Sequence, residues 1–195
     1  MNPSLIGLLA AIISLVSFIP YIFDILNRKA VPNRATWIIW MVVGVIIAAS
    51  YYAAGARESA YLPIANAIGL VFMAILVIRY GEGGLARLDV LCLAGAGLGL
   101  ILWLLTSEPL FALYLTIGID AIGALPTIKK TYERPESESN RAWLLYLVAN
   151  SLNLFAITNW TLAIASYPVY VFIVAIIMNA LIFWPRTKAG KGRML

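Results

Sequence analysis

Residues 4–26 read SLIGLLAAIISLVSFIPYIFDIL, a run in which Asp24 is the sole charged side chain. A helix needs about 20 mostly apolar residues to cross the hydrocarbon core of a bilayer, so this run is long enough to do so. It lacks the basic start and the small-residue cleavage site of a secretory signal peptide. The run therefore predicts a transmembrane helix rather than a signal peptide.

Six further apolar runs follow, separated by short polar or glycine-containing segments. The chain of 195 residues is 63% apolar and 12% charged, which leaves too few polar residues to cover a soluble domain. We therefore expect an all-α membrane protein with seven transmembrane helices. The six further spans are predicted at 36–56, 60–80, 88–106, 110–129, 142–165 and 167–184.

The composition excludes several kinds of chemistry. The chain has no histidine, and Cys92 is its one cysteine. Ser-His-Asp catalysis, Cys-His catalysis and histidine-bound zinc are therefore excluded, as is an intramolecular disulfide. There is no phosphate-binding Gly-x-x-x-x-Gly-Lys-Ser/Thr loop, and the basic residues form no patch interleaved with aromatic residues for nucleic acid. We expect a protein that is not an enzyme, has no cofactor or metal, and binds no nucleic acid.

Basic residues are concentrated on one side of the predicted topology. If the segments after spans 1, 3, 5 and 7 share a side, the opposite side holds only Arg57 of the 14 lysines and arginines. Basic loops stay in the cytoplasm, so the N-terminus is predicted outside and the C-terminus in the cytoplasm, at the cell (inner) membrane. The basic side holds Arg28, Lys29, Arg34, Arg79, Arg87, Lys129, Lys130, Arg134, Arg141, Arg186, Lys188, Lys191 and Arg193.

Spans 1–3 and 5–7 share a pattern. FIPY at 18–21 precedes WIIW at 37–40, and ALPT at 124–127 precedes WLLY at 143–146, with the same distance from proline to first tryptophan. Because one span is left between the triplets, both have the same orientation, which predicts a parallel 3+1+3 repeat. The alternative is chance recurrence of proline and tryptophan in apolar sequence. The predicted units are a first repeat (1–81), a linker helix (82–107), a second repeat (108–185) and a basic cytoplasmic tail (186–195).

This arrangement resembles the SWEET and PQ-loop transporter superfamily over nearly the whole chain. Pro20-Tyr21 and Pro126-Thr127 stand where the family has its Pro-Gln pairs, with the glutamine replaced in both. The segment PTIKK at 126–130 resembles the usual continuation. In the third span, NAIG at 66–69 is similar to the Asn-x-x-Gly of sugar-binding members, whereas the seventh span has no asparagine at the matching position. The resemblance implies transport, with a sugar as one candidate substrate.

A second resemblance is to the PnuC-type nicotinamide riboside transporters. WLLY at 143–146 followed by Asn150 is similar to their Trp-x-x-Trp-x-x-x-Asn helix. This resemblance implies a vitamin or nucleoside facilitator as the alternative to a sugar carrier.

One face of the sixth span combines amides with aromatic rings. Steps of three and four residues place the set on one side of a helix. Amides there would bond hydroxyl groups, and indole rings would stack on a sugar or base. The alternatives are helix–helix hydrogen bonds for the asparagines and an interfacial position for the first tryptophan. The substrate-binding candidates on this face are Trp143, Tyr146, Asn150, Asn153 and Trp160.

Three further polar residues are substrate-binding candidates. Asn66 lies one turn past Pro63 in the third span, with a helix–helix hydrogen bond as its alternative role. Tyr51 ends the face of the second span that begins at Trp37, and its neighbour Ser50 is included as within reach of the same site. Polar side chains inside a span are costly unless paired, which makes them candidates by default.

Asp120 lies near the middle of the fifth span, with no lysine or arginine at similar depth by sequence position. A carboxylate there costs about 2.5–3.5 kcal/mol on insertion scales. It is the proton-coupling candidate, or a ligand for a cationic or hydroxyl-rich solute. The alternative is a structural acid bonded to a backbone carbonyl.

Pro20 and Pro126 each remove a backbone hydrogen bond within a span. Paired kinks in equivalent helices suit hinges for alternating access, and static kinks that only shape the packing are the alternative. Together these features predict a transporter, uniporter or ion-coupled, for a small polar solute such as a sugar. The alternatives are a PnuC-like facilitator and a receptor or scaffold that does not transport. The bilayer is a partner, and a homo-oligomer is left open.

Overall fold

The computed structural model describes residues 2–53, 55–84 and 109–184, with scattered residues between 85 and 108. In this part of the chain it contains six α-helices and two 3₁₀ turns, and no strand. The 3₁₀ turns, Glu58–Ala60 and Pro135–Ser137, lie just before the third and fifth helices. The helices are α1 (Pro3–Leu26), α2 (Arg34–Ala53), α3 (Tyr61–Tyr80), α4 (Pro109–Glu133), α5 (Asn140–Phe155) and α6 (Leu162–Phe183).

Four helical segments of the described chain are long and apolar enough to cross a membrane. The expectation of an all-helical membrane protein is thereby confirmed for the described residues. These segments are Pro3–Leu26, Arg34–Ala53, Glu58–Tyr80 and Leu162–Phe183.

Short polar side chains set where the first two helices begin. The Oδ1 atom of Asn2 accepts a hydrogen bond from the Ser4 amide at 3.0 Å, and Pro3 occupies the first helical position. Asn33 accepts in the same way from the Thr36 amide at 3.0 Å, just before α2. Asparagine satisfies amides that have no partner within a helix, and proline has no amide to satisfy.

The helices form a bundle in which each packs against two others. α1 packs on α3 and α5, α2 packs on α3 and α4, and α6 packs on α4 and α5. Glycine permits the closest approaches: a Cβ atom on Gly69 would lie 2.2 Å from the Phe18 ring, and one on Gly123 would lie 2.8 Å from Ile39. These positions join α3 to α1 and α4 to α2.

Three connecting segments, 27–33, 81–84 and 134–139, meet at one end of the bundle, which we call the basic end. The Val31 amide donates to the Ser137 carbonyl at 3.0 Å, and the Arg34 amide donates to the Glu82 carbonyl at 2.9 Å. The guanidinium of Arg134 reaches the Glu82 carboxylate at 2.6 Å. α1, α3 and α4 therefore end at the basic end, whereas α2 and α5 begin there.

The sixth span is shorter than the sequence suggested. α5 ends at Phe155 rather than near residue 165, and α6 begins at Leu162 rather than at residue 167. α5 has 16 residues, or about 24 Å, less than the roughly 30 Å of a hydrocarbon core. The physical reason is the polar segment 158–161, in which Thr158 and Asn159 favour turns and Thr161 stands at the cap position of α6.

The structure tests the predicted ends of α2, α3 and α4, but not the predicted fourth span or the tail. Most of the predicted fourth span (88–106) and the basic tail (186–195) lie outside the described residues. The observed ends of α2, α3 and α4 lie within a few residues of their predicted ends.

Candidate functional site

A cavity of about 70 Å³ lies between the helices, from the middle of the bundle toward the basic end. That is room for several water molecules. Every one of the six helices contributes to its wall. The lining residues are Ser17, Phe18, Tyr21, Trp37, Trp40, Gly44, Asn66, Leu70, Asp120, Ala142, Trp143, Tyr146, Tyr167, Tyr170, Val171 and Val174.

Aromatic rings form a continuous series along one side of the cavity. The centroids of Trp37 and Trp40 lie 5.3 Å apart, those of Trp40 and Trp143 6.2 Å, and those of Trp143 and Tyr146 5.8 Å. All three pairs are edge-to-face, with interplanar angles of 71–88°, which is a favoured geometry for aromatic contacts. The series passes from α2 to α5 and so joins the two halves of the chain.

Polar groups form the other side. The Tyr170 hydroxyl of α6 donates to Oδ2 of Asp120 on α4. Asn66 of α3 accepts from the Ser14 hydroxyl of α1 and donates to the Tyr146 hydroxyl at 3.3 Å. The cavity therefore offers one carboxylate, several phenol hydroxyls and one amide.

A buried ion pair closes the cavity toward the basic end. Nζ of Lys130 lies 2.5 Å from Oε1 of Glu138, with side-chain exposures of 5% and 0%. The other carboxylate oxygen of Glu138 accepts from the Tyr21 hydroxyl at 2.6 Å and from the Trp143 indole at 2.9 Å. Lys130 also donates to the Val31 carbonyl. Because Tyr21 and Trp143 line the cavity, Glu138 lies directly behind its wall.

The structure brings four of the predicted residues together at this cavity: Asn66, Asp120, Trp143 and Tyr146. They come from α3, α4 and α5, which are distant in sequence.

The other predicted substrate-binding residues do not line the cavity. The Tyr51 hydroxyl donates to the Ile164 carbonyl at 2.5 Å, and Nδ2 of Asn150 donates to the Tyr146 carbonyl at 2.8 Å. The Ser50 hydroxyl and both polar side-chain atoms of Asn153 are buried without a hydrogen-bonding partner among the described residues. Trp160 follows the end of α5, so the predicted helix face does not extend to it, and it is 61% exposed.

The proposed hinge prolines lie inside helices, one turn or less from the closing residues. Pro20 is within α1, adjacent to Tyr21. Pro126 is within α4, one turn before Lys130. A change of kink at either proline would therefore move a residue that holds Glu138.

Sequence reasoning missed Tyr170, Tyr21, Lys130 and Glu138. Tyr170 had a usable signal, since Tyr167, Tyr170 and Val174 recur at helical steps of three and four residues. Glu138 had none, because a glutamate in a polar segment reads as solvated. Asp24, the sole charged side chain of α1, accepts a hydrogen bond from Ser139.

The cavity is the basis for assigning a function, because comparisons with known proteins supply none. A scan against protein-family models, a search of curated proteins and a search of solved structures found no match to this chain.

Proposed function

We propose that the chain is a membrane transporter that moves a small polar solute through the central cavity by alternating access. The observation that carries this proposal is the cavity itself, which lies at the boundary between two triplets of helices and is lined by both. A carboxylate and an amide facing a cavity in the middle of an apolar bundle are costly unless they are used, and transporters place their solutes there.

The packing of the helices supports a 3+1+3 repeat. The α1–α3 contact has its counterpart in α4–α6, α2–α3 in α5–α6, and α1–α5 in α4–α2. Exchanging the triplets therefore leaves these main contacts unchanged, as a two-fold axis between them requires. Since α1 and α4 both end at the basic end, the repeat is parallel and its axis lies along the bundle.

A linker helix completes the proposed architecture. The described residues between 87 and 105, among them Val90, Gly95 and Ile101, have helical backbone geometry. A Cβ atom on Gly95 would lie 3.3 Å from the Ile119 side chain of α4. With this helix the protein has seven spans, and the positive-inside rule places its basic end in the cytoplasm and its N-terminus outside.

Polar contacts between the two triplets close the basic end. They join Tyr21 to Glu138, Val31 to Ser137, and Glu82 to Arg134. In the proposed cycle, water replaces these contacts when the two triplets move apart. The kinks at Pro20 in α1 and Pro126 in α4 would allow that movement. At the other end, Tyr51 bonds the Ile164 carbonyl across the same boundary, so both ends have contacts that a transport cycle breaks in turn.

The proposal assigns the chain to the SWEET and PQ-loop superfamily as an alternating-access carrier rather than an enzyme. Because Asp120 lines the cavity, the proposal includes coupling of solute transport to protons or other ions. A PnuC-like facilitator is the second candidate, favoured by the position of Trp143 and Tyr146 in the cavity wall. A receptor or scaffold with the same fold would bind a solute without moving it.

Solute efflux from a mixed panel tests the proposal and identifies the solute class in one experiment. Liposomes containing the purified chain are loaded with sugars, nucleosides, amino acids and small amines, and the solutes that leave are measured by mass spectrometry. Val174→Trp fills the cavity, whereas Val169→Trp places the same bulk on the exposed face of the same helix. We expect one solute class to leave wild-type and Val169→Trp liposomes faster than protein-free ones, and Val174→Trp to match the protein-free rate.

Binding without efflux would contradict transport and indicate a receptor. Efflux that Val174→Trp leaves unchanged would place the pathway somewhere other than this cavity.

A further inference from the structure

We propose that the cavity selects small organic cations, with an ammonium group beside Asp120 and an acceptor oxygen facing the tryptophans, in preference to neutral sugars. This inference rests on the proposed transport function, because it names the substrate class of the same cavity.

The cavity wall carries a carboxylate without a basic side chain beside it among the described residues. Asp120 is its one aspartate or glutamate, and no lysine or arginine lines it among the described residues. Tyr170 is the hydrogen-bonding partner that the described chain supplies to Asp120, and it occupies one carboxylate oxygen. Lys130, which could have neutralised the region, is held by Glu138 and the Val31 carbonyl behind the wall. A carboxylate in a low-dielectric cavity without a counter-charge favours a cation.

The aromatic wall is the second argument. Trp40, Trp143 and Tyr146 lie at steep angles to one another, 71° for the first pair and 88° for the second. Rings at such angles present π faces in different directions instead of one flat stack. The face of an aromatic ring attracts cations, and clusters of such faces bind ammonium groups. A sugar could donate hydroxyl hydrogen bonds to the carboxylate, but it carries no positive charge to neutralise Asp120 and uses one flat face for stacking.

An indole N–H group adds a third observation. The Nε1 atom of Trp40 is buried and has no hydrogen-bonding partner in the described part of the chain. A buried donor without a partner is costly, so this group favours a ligand that carries an acceptor. The solute that fits all three observations has an ammonium group at one end and a hydroxyl or carbonyl oxygen at the other.

Matched pairs of probes test the charge separately from shape. Choline is compared with 3,3-dimethyl-1-butanol, which has carbon in place of the ammonium nitrogen, and ethanolammonium with propan-1-ol. Binding to the purified full chain is measured by titration calorimetry, with glucose as the neutral sugar. We expect at least one cation to bind tenfold or more tightly than its isostere and than glucose.

Variants locate the effect. Asp120→Asn keeps the shape and removes the charge, and we expect it to weaken binding of that cation at least tenfold while leaving the isostere unchanged. Glu133→Gln removes an exposed acid from the same helix and should change neither probe. Tyr170→Phe removes the hydroxyl that bonds Asp120, and we expect it to change the affinity for the cation but not for the isostere, which provides a second test if Asp120→Asn folds poorly.

Equal binding of both cations and their isosteres, or no cation binding at all, would overturn the inference, as would an unchanged preference in Asp120→Asn. Failure of the inference is distinguishable from failure of the transport proposal. Efflux of a neutral solute without cation preference would support transport and contradict the cation site. Selective cation binding without efflux would support the cation site and contradict transport.

Discussion

At the scale of single residues, the buried pair of Lys130 and Glu138 is the least expected feature. Buried ion pairs are often no more stabilising than apolar residues of the same volume, because both charges lose their water. This pair compensates with further hydrogen bonds from Tyr21 and Trp143 to Glu138. Since Tyr21 belongs to α1 and Glu138 lies between α4 and α5, the hydrogen bond between them joins α1 to that connecting segment at the basic end.

Glu138→Gln should therefore destabilise the protein strongly, by about 3–5 kcal/mol, because it leaves the ammonium of Lys130 buried without a counter-charge. Glu133→Gln is the matched control, since the Lys129–Glu133 pair is exposed and 3.9 Å long and such pairs contribute about 0–1 kcal/mol. The measurement is equilibrium unfolding in detergent micelles. The double variant Lys130→Met with Glu138→Leu should be less destabilised than Glu138→Gln, and equal losses would contradict the ion-pair account.

Asp120→Asn separates three roles for the carboxylate. If Asp120 binds a cation, the variant loses binding and uptake at every pH. If Asp120 only carries a coupling proton, binding persists and only accumulation driven by a pH gradient is lost. Substrate binding and gradient-driven uptake, measured on the same variant, distinguish these outcomes, and we expect the first. Wild-type values for both at every pH would mean that the carboxylate is structural.

At the scale of helices, glycine determines how closely neighbours approach. A Cβ atom on Gly7 would lie 2.2 Å from the carbonyl oxygen of Glu58, whereas one on Gly118 would meet nothing within 4 Å. The Glu58 carbonyl belongs to the 3₁₀ turn before α3, so it cannot rotate away as a side chain would. The contact between α1 and that turn thus depends on the absence of a side chain.

Gly7→Ala should lower stability by about 1–3 kcal/mol, the usual cost of overpacking. Gly118→Ala, the control, should be neutral or slightly stabilising, because alanine has the higher helix propensity and the position is open. Thermal unfolding of both variants in the same detergent tests this. A Gly118→Ala protein as unstable as Gly7→Ala would show that the loss does not come from the close approach.

At the scale of the whole molecule, the meeting of three connecting segments at the basic end makes the topology testable. Glu136 and Asn159 are both exposed and lie at opposite ends of the bundle. With Cys92 replaced by alanine, we expect Glu136→Cys to react with a membrane-impermeant thiol reagent from the cytoplasmic side, and Asn159→Cys from the outside. The reverse labelling would invert the proposed orientation.

The repeat makes a second prediction at this scale. In a structure determined in a lipid bilayer, residues of the first triplet should superpose on the second by rotation about the membrane normal, with Pro20 over Pro126 and Trp37 over Trp143. A superposition that required inversion of one triplet would refute the parallel repeat.

The sequence by itself determined that this chain is a bundle of membrane helices. Its apolar runs carry few charges and are long enough to cross a bilayer, and a helix satisfies the backbone hydrogen bonds within each run. It also selected as candidates Asn66, Asp120, Trp143 and Tyr146, which line the cavity, since polar and aromatic residues stand out in apolar runs. It misjudged the end of α5, where the weak signals of Thr158 and Thr161 were hidden by apolar neighbours, and with it the position of Trp160.

Only the tertiary structure decided which candidates share a cavity. Asn150 and Tyr146 are one turn apart, yet a small difference in direction places one against the backbone and the other in the cavity wall. Glu138 closes the site because a connecting segment folds back against Tyr21 of another helix. Contacts between residues more than a hundred positions apart depend on how helices pack, and the spacing within one helix carries no record of them.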